Sequence, residues 1–303
     1  MITELLTGAV RGGTSIMYAG LGETVSERAG VINLGTEGSM LLGALGGYAV
    51  TAQTGSPWLG VLGGALAGAA LSAVHAVLVV SRRANQFASG LTLYFLALGL
   101  TSLYGVSYVS QQINAFTPVA IPVLSDIPVL GPVLFDHDPL VYLGFVAAPV
   151  IWWVLFRTRV GLLVLTAGER SDALGIHGYS VTAIRYAAVV TGGALAGIGG
   201  AQISIAYANS WFEGMIAGRG FIAVALVIFA MWNPLTIMAG AYLFGAALSL
   251  ASVLQASGYA INQFALNAVP FVLTLVVLAV LGRRTLQAAP DELLEVLDNS
   301  RSA

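Results

Sequence analysis

Glu169, Arg170, Asp172 and Arg185, with His177 among them, fall within residues 160–185, "VGLLVLTAGERSDALGIHGYSVTAIR", of a chain that is only 9% charged. Carboxylates and guanidiniums so placed can pair with complementary charge on another surface. They bring no nucleophile beside a base, so they do not read as a catalytic group. Two further stretches gather polar chemistry. "SERAGVINLGTEGSM", residues 26–40, sets Glu27, Arg28, Asn33 and Glu37 among apolar residues. "RRANQFASGLTLYFLALGLT", residues 82–101, carries Asn85, Gln86, Ser89 and Thr92 at near-helical spacing, with Tyr94 and Phe95 beyond them. The three His stand far apart without metal-ligand spacing. Neither G-x-S-x-G nor H-E-x-x-H occurs. Cys is absent, which removes disulfides, thiol catalysis and Cys-ligated metals. All 12 basic residues are Arg. A P-loop needs a Lys on the nucleotide phosphates, so this chain cannot hold a standard ATP-hydrolysing site.

The elements that position these residues are apolar. The chain is 57% hydrophobic, with 37 Gly and a mean hydropathy of +0.87. Soluble domains carry about 25% charged residues, and a bilayer core of about 30 Å takes roughly 20 apolar residues per helix. The composition therefore predicts an all-α polytopic membrane protein of about 8–10 transmembrane helices. Nine apolar segments are expected, at roughly 3–22, 36–53, 58–81, 85–109, 138–157, 183–208, 218–232, 235–256 and 263–281. The first contains Arg11 and is a poor span; the seventh is too short to cross unaided. Polar connectors run over about 110–137 and 158–182. A transmembrane domain, 1–285, is followed by a polar tail, 286–303. The first residues lack the basic start and small-residue cleavage site of a removable signal peptide.

Arg placement predicts orientation. With 158–182 in the cytoplasm, Arg28, Arg82, Arg83, Arg157, Arg159, Arg170, Arg185, Arg283, Arg284 and Arg301 all lie inside. Arg219 and Arg11 fall outside, as do the acidic Asp126, Asp136, Asp138 and Glu213. The N-terminus is then outside and the C-terminus cytoplasmic. Residues 20–47 and 214–247 each set a Gly-interrupted, polar stretch before a clean span. The blocks around them, 1–109 and 183–281, start on opposite faces, the pattern of an inverted repeat with a solute pathway near the midplane.

Each polar stretch has two readings at this point. Residues 26–40 form either a broken helix beside a polar route or a short solvated loop; Gly30, Gly35 and Gly38 permit the irregular backbone, which survives at depth only against protein or a cavity. Glu37 also suits a helix N-terminus. Asn85, Gln86, Ser89 and Thr92 either line a pore or bond neighbouring helices. Gly60, Gly64 and Gly68, and Gly193 and Gly197, recur at intervals of four, the spacing of close helix packing in lipid. His75 reads as a hydrogen-bonded packing residue. Trp211 and Glu213 sit near an outer end, facing a partner or the lipid interface. In "ERSDALGI" a short helix exposes Glu169, Arg170 and Asp172, Gly175 supplies the stop, and Ser180 caps the next span.

On these residues a resemblance is recognised. "VGLLVLTAGERSDALGIHGYSVTAIRYAAVVTGGALAGIGGA" is similar to the G-x-x-x-x-A-x-G-E-x-x-x-A-x-x-x-G-I block of bacterial ABC-importer permeases, in the branch shared by ribose, branched-chain amino acid and nucleoside systems. "SERAGVINLGTEGSMLLGA", "RANQFASGLTLYFLALGLT" and "GRGFIAVALVIFAMWNPLTIMAGAYLFGA" resemble its nucleoside and simple-sugar members. The likeness covers roughly 10–285; it departs in "VGLLVLTAGE", where relatives often carry Arg. The resemblance implies an inverted-repeat importer-permease fold with broken helices, in a bacterial cell membrane. It implies that Gly168, Glu169, Arg170, Asp172, Ala173, Gly175 and Ile176 form the coupling helix that seats in an ATPase subunit.

The implied partners are a second permease, two cytoplasmic ATPase subunits, an extracytoplasmic substrate-binding lipoprotein and the lipid bilayer, with no nucleic acid. ATP and magnesium would be bound by the ATPase, leaving this chain without a cofactor and not itself an enzyme. Asn33, Glu37, Asn85, Gln86, Tyr94 and Asn233 are the expected substrate-pathway residues for a nucleoside. A simple sugar is the alternative cargo, and an ion-coupled secondary transporter is the alternative class.

Overall fold

The computed structural model describes residues 1–257, 262, 266, 268–270, 272–276, 279 and 289–294. The ninth apolar segment, 263–281, and most of the tail thus fall largely outside the described residues. The regular structure of the described residues is helical apart from two short strands. In order, α1 is Ile2–Arg28, α2 Thr36–Thr54, α3 Pro57–Ala76, α4 Gln86–Gly105 and α5 Leu130–Leu134. Then come α6 Pro139–Arg157, α7 Arg159–Glu169, α8 Ser171–Ile176, α9 Val181–Gln202, α10 Arg219–Phe229 and α11 Pro234–Ala256. A π turn extends α3 over Val77–Ser81, and another extends α9 over Ile203–Tyr207. The connector after α4 holds α5 and a two-residue antiparallel pair, β1 (Val119–Ala120) with β2 (Asp136–His137).

The helix starts follow local chemistry. Ser56, Asp138 and Asn233 each precede a Pro, and each side chain accepts a hydrogen bond from the first turn of α3, α6 or α11. A polar cap followed by Pro at the first helical position satisfies one orphan N–H and removes another. Asn85 and Ser180 cap α4 and α9 in the same way.

Among the described residues, five helices are long and apolar enough to cross a membrane: those at 57–81, 86–108, 139–157, 181–207 and 234–256. Large apolar side chains such as Leu66 and Leu103 project from them, 70% and 68% exposed. That surface suits lipid. The least apolar of the long helices, α1, is among the most enclosed. α1 runs the 27 residues from Ile2 to Arg28, about 40 Å at 1.5 Å per residue. Nearly all of 9–27 is buried, Glu23 and Glu27 included. As expected of a poor first span, α1 is not among the helices apolar enough to cross unaided; it tolerates charge because protein surrounds its buried length.

The helix partners show a two-fold pattern. α1 packs on α9, α11 packs along α1, and α3 packs along α9. Gly22 faces Gly192 while Gly199 faces Ser15, so α1 and α9 are antiparallel. Each is followed by a non-helical break, 29–35 or 208–218, and then by a new helix, α2 or α10. Exchanging α1 and α3 with α9 and α11 keeps these antiparallel pairings, as expected of opposed repeat blocks, although α2 packs along α3 far more than α10 does along α11.

Small residues make this closeness possible. A Cβ added at Gly197 would overlap the Gly64 carbonyl, and one at Gly68 would overlap the Gly193 carbonyl. The sequence stripes at Gly60, Gly64, Gly68, Gly193 and Gly197 are thus a packing seam. Sequence reasoning passed over a second seam: Gly13 and Gly245 bring α1 against α11.

The 158–182 connector differs from expectation. Residues 159–169 form α7, since Thr158 accepts from the Gly161 N–H to cap it. Gly175 lies inside α8, and the left-handed residue beyond the helix is Gly178, at φ +77°.

Candidate functional site

Three carboxylates, two helix breaks and a charged knob make up the site. The first break follows α1. Gly30, at φ +86°, occupies the left-handed position of a Schellman turn: its N–H bonds the Glu27 carbonyl, and the Val31 N–H bonds that of Ser26. The Ser26 hydroxyl returns a bond to the Val31 carbonyl at 2.8 Å. Beyond it the chain runs without helix to Gly35. Glu23 holds that run to α1: Oε1 accepts from the Asn33 N–H and Oε2 from the Thr36 hydroxyl, both at 2.7 Å. Residues 26–40 are therefore a broken helix packed against protein, and Glu27, 2% exposed, is not solvated.

The break is enclosed on its other side. His75 Nε2 donates to the Ile32 carbonyl at 3.0 Å, and Nδ1 then accepts from the Ser89 hydroxyl at 3.1 Å. Gln86 Oε1 accepts from the Ile32 N–H at 2.7 Å. Asn33 donates to the Ser72 hydroxyl at 3.2 Å. Irregular backbone at this position is thus paired by side chains from α1, α3 and α4, as burial demands.

Glu37 joins the two repeats. It stands in the first turn of α2, and its carboxylate accepts from the Gly218 N–H at 2.8 Å and the Gly220 N–H at 2.6 Å, at the start of α10. A carboxylate at a helix N-terminus satisfies orphan donors and meets the positive end of the helix dipole. Gly220 is needed there, because a Cβ would press on the Glu37 backbone. Around this junction stand aromatic groups. Tyr94 meets Phe221 edge-on at 5.2 Å between centroids, and the Arg219 guanidinium lies 5.8 Å from the Tyr207 ring.

The charged knob closes one end of the bundle. Leu174 anchors α8, while Glu169, Arg170, Asp172 and Gly175 are exposed and Ala173 is half-buried. Ile176 is 84% exposed. Gly168 lets α7 lie directly on the Arg28 carbonyl. Arg28 pairs with Glu169 at 3.8 Å. Arg185 donates to the Ala29 carbonyl at 3.1 Å and the Ala167 carbonyl at 3.0 Å, and pairs with Glu292 at 3.1 Å. Glu292 also accepts from Ser171, so the start of the tail packs under α8 with Leu293 buried.

Of the residues expected along a pathway, Asn33 and Glu37 are buried in the two-break junction, with Gln86 bonded to it from α4. Tyr94 borders the junction, half-buried. Asn85 and Asn233 cap α4 and α11 at the α8 end. Trp211 is buried in the core, and Glu213 is exposed and bonded to Ser102. Sequence reasoning passed over Glu23, Trp232, Arg219, Tyr207 and Phe221. Glu23 had a signal, since it stands four residues before Glu27 on one helix face. The others had none. Among the described residues no group of His, Asp or Glu could hold a metal ion.

These features define the class: a multi-pass helical membrane protein with paired broken helices and an exposed charged knob at one end. Residues 5–281 match the family model described as branched-chain amino acid transport system / permease component, and the chain belongs to that family. It is 45% identical over 245 residues to a putative glucose ABC transporter permease protein of Haloferax volcanii, covering 80% of this chain and 74% of the relative. It is 38% identical to a nucleoside ABC transporter permease protein of Lactococcus lactis, covering 88% of each. It is 34% identical to a guanosine ABC transporter permease protein of Bacillus subtilis, covering 87% of each. No solved structure matches the chain. Permease components of this kind are not themselves catalytic.

Proposed function

We propose that this chain is the membrane-spanning permease of an ATP-binding-cassette importer that translocates nucleosides or related small polar solutes. The observation that carries the reading is α8: a short helix anchored by Leu174 that presents Glu169, Arg170, Asp172 and the 84% exposed Ile176 to the outside of the bundle. An exposed isoleucine ringed by charge is a docking knob rather than a lipid contact. The ATPase that seats on it is a separate chain and binds ATP and magnesium, since no Lys is available here for a P-loop. A second permease and an extracytoplasmic binding lipoprotein complete the assembly. Arg28, Arg83 and Arg185 gather near the knob, which supports a cytoplasmic α8 end and an N-terminus outside.

Two relatives named for nucleosides or guanosine, and the Tyr94–Phe221 pair as a stacking surface, favour a nucleoside as cargo. A simple sugar is the second reading, favoured by the Haloferax relative named for glucose. The purified chain is expected to co-elute with an ATPase and to drive ATP-dependent uptake that ionophores alone do not abolish. Reversing Glu169 and Asp172 to Arg together is expected to abolish accumulation; undiminished uptake would refute the docking role. Thermal shifts of the binding lipoprotein with adenosine, guanosine, ribose and glucose separate the two cargo readings.

A further inference from the structure

The turn after α10 contains the most strained backbone near the site. α10 ends in the same Schellman pattern as α1: the Met231 N–H bonds the Ile228 carbonyl and the Trp232 N–H bonds that of Val227. Where α1 has Gly30, α10 has Met231, at φ +52°, and Trp232 follows at φ +52°. Non-Gly residues are disfavoured in the left-handed conformation, because Cβ crowds the following carbonyl oxygen. Two in succession persist only where their surroundings fix them.

What fixes them is the end of α1. Arg28 donates from Nη2 to the Met231 carbonyl at 3.3 Å and from Nε to the Trp232 carbonyl at 3.4 Å. Glu27 accepts from the Trp232 indole N–H, and Trp232 is 3% exposed. The same guanidinium faces Glu169 at 3.8 Å and lies 5.6 Å from the Phe156 ring of α6. Arg28 thus touches the last residue of α7 on one side and the strained turn on the other. From that turn α10 runs to its N-terminus, where Glu37 of α2 is bound.

We propose that Arg28 and Glu27 are positioning residues that latch the strained Met231–Trp232 turn to the Glu169 end of the knob, so that displacement of α7–α8 shifts α10 and opens or closes the junction at Glu37. The proposal rests on the importer reading above. α7 reaches the first break directly, where Gly168 lies against Gly30. The latch adds a second route to the junction, through Arg28 to the 231–232 carbonyls, beside the one through α1 to Glu23 and the Asn33–Thr36 run. Strain makes the turn responsive, since loosening Arg28 removes the contacts that hold two unfavourable residues in place.

The test uses the complete importer in proteoliposomes, reading solute accumulated per ATP hydrolysed. Arg28→Gln and Trp232→Phe are each expected to leave hydrolysis near wild type and to lower solute per ATP at least about fivefold, the lower end of ordinary coupling energies. A purely structural role would lower yield and both activities together and leave the ratio unchanged. Should Arg28→Gln fail to accumulate, Trp232→Phe decides, because it keeps an aromatic ring and loses the N–H to Glu27. A ratio within about twofold of wild type, too small for a coupling contact, would overturn the latch. A wild-type importer that accumulates nothing on ATP would overturn the importer reading and the latch with it; an active wild type with unchanged variant ratios overturns the latch alone.

Discussion

Glu37 lies 3% exposed between two helix N-termini, yet its carboxylate is well supplied with donors. Gly218 and Gly220 N–H groups meet its two oxygens, and no water is needed to satisfy either. Truncation would strand those donors in an enclosed site. An unpaired buried donor costs about 1–3 kcal/mol, so Glu37→Ala is expected to destabilise the detergent-solubilised chain by at least about 2 kcal/mol. Glu37→Gln keeps one accepting oxygen and should recover part of that loss. Thermal unfolding of the three proteins side by side checks both. Equal stability of Ala and wild type would mean that the junction is held by packing alone. Glu23 and Glu27 illustrate the same rule: each buried carboxylate in α1 has a named donor, Asn33 and Thr36 for the first and Trp232 for the second.

Among the elements, the helices that meet most closely are those that carry Gly where they cross. α1 against α9 brings Gly22 to Gly192, and α3 against α9 brings Gly64 and Gly68 to Gly197 and Gly193. In lipid the apolar tails compete equally for a Leu surface, so association depends on close backbone approach rather than on exclusion of water. A methyl at Gly22 would run into the Gly192 carbonyl, and one at Gly197 into that of Gly64. Gly22→Ala and Gly197→Ala are each expected to cost about 1–3 kcal/mol, the range for overpacking. Gly99, with open space around its Cβ position, is the control; Gly99→Ala should leave stability unchanged or raised. Fluorescence-detected gel filtration after graded heating measures the series.

Across the molecule as a whole, the tail start matters because it returns to the knob. Glu292 pairs with Arg185 and accepts from Ser171, while Ala289 and Leu293 are buried. Arg185 in turn holds the carbonyls of Ala29 and Ala167, which joins α9 to the end of α1 and to α7. Removal of 289–303 would expose that apolar contact and leave Arg185 with fewer partners. Burying an apolar side chain such as Leu293 contributes about 1.5–3 kcal/mol. The truncated chain is expected to lose about that much stability and to gain protease sensitivity within 159–180. Limited proteolysis followed by mass spectrometry locates the change; cleavage confined to other segments would count against a bracing tail.

Local physics was enough to read several features from the residues alone: a membrane-buried helical chain, the order of its described apolar segments, Ser180 as a helix start, and 26–40 as a place where a helix break was one of two readings. Each depends on hydropathy, side-chain size or hydrogen bonding between residues a few positions apart. The central position of α1, the most charged of the long helices, emerged only with the packing of the whole chain. Hydropathy scores a helix as though lipid surrounded it, and α1 is surrounded by protein. Packing alone brought Glu37 to Gly218, 181 residues away, and Trp232 to Glu27, 205 residues away. Pairings across such distances come from the antiparallel packing of two half-chains, and no local pattern of residue types encodes which donor each buried carboxylate will meet.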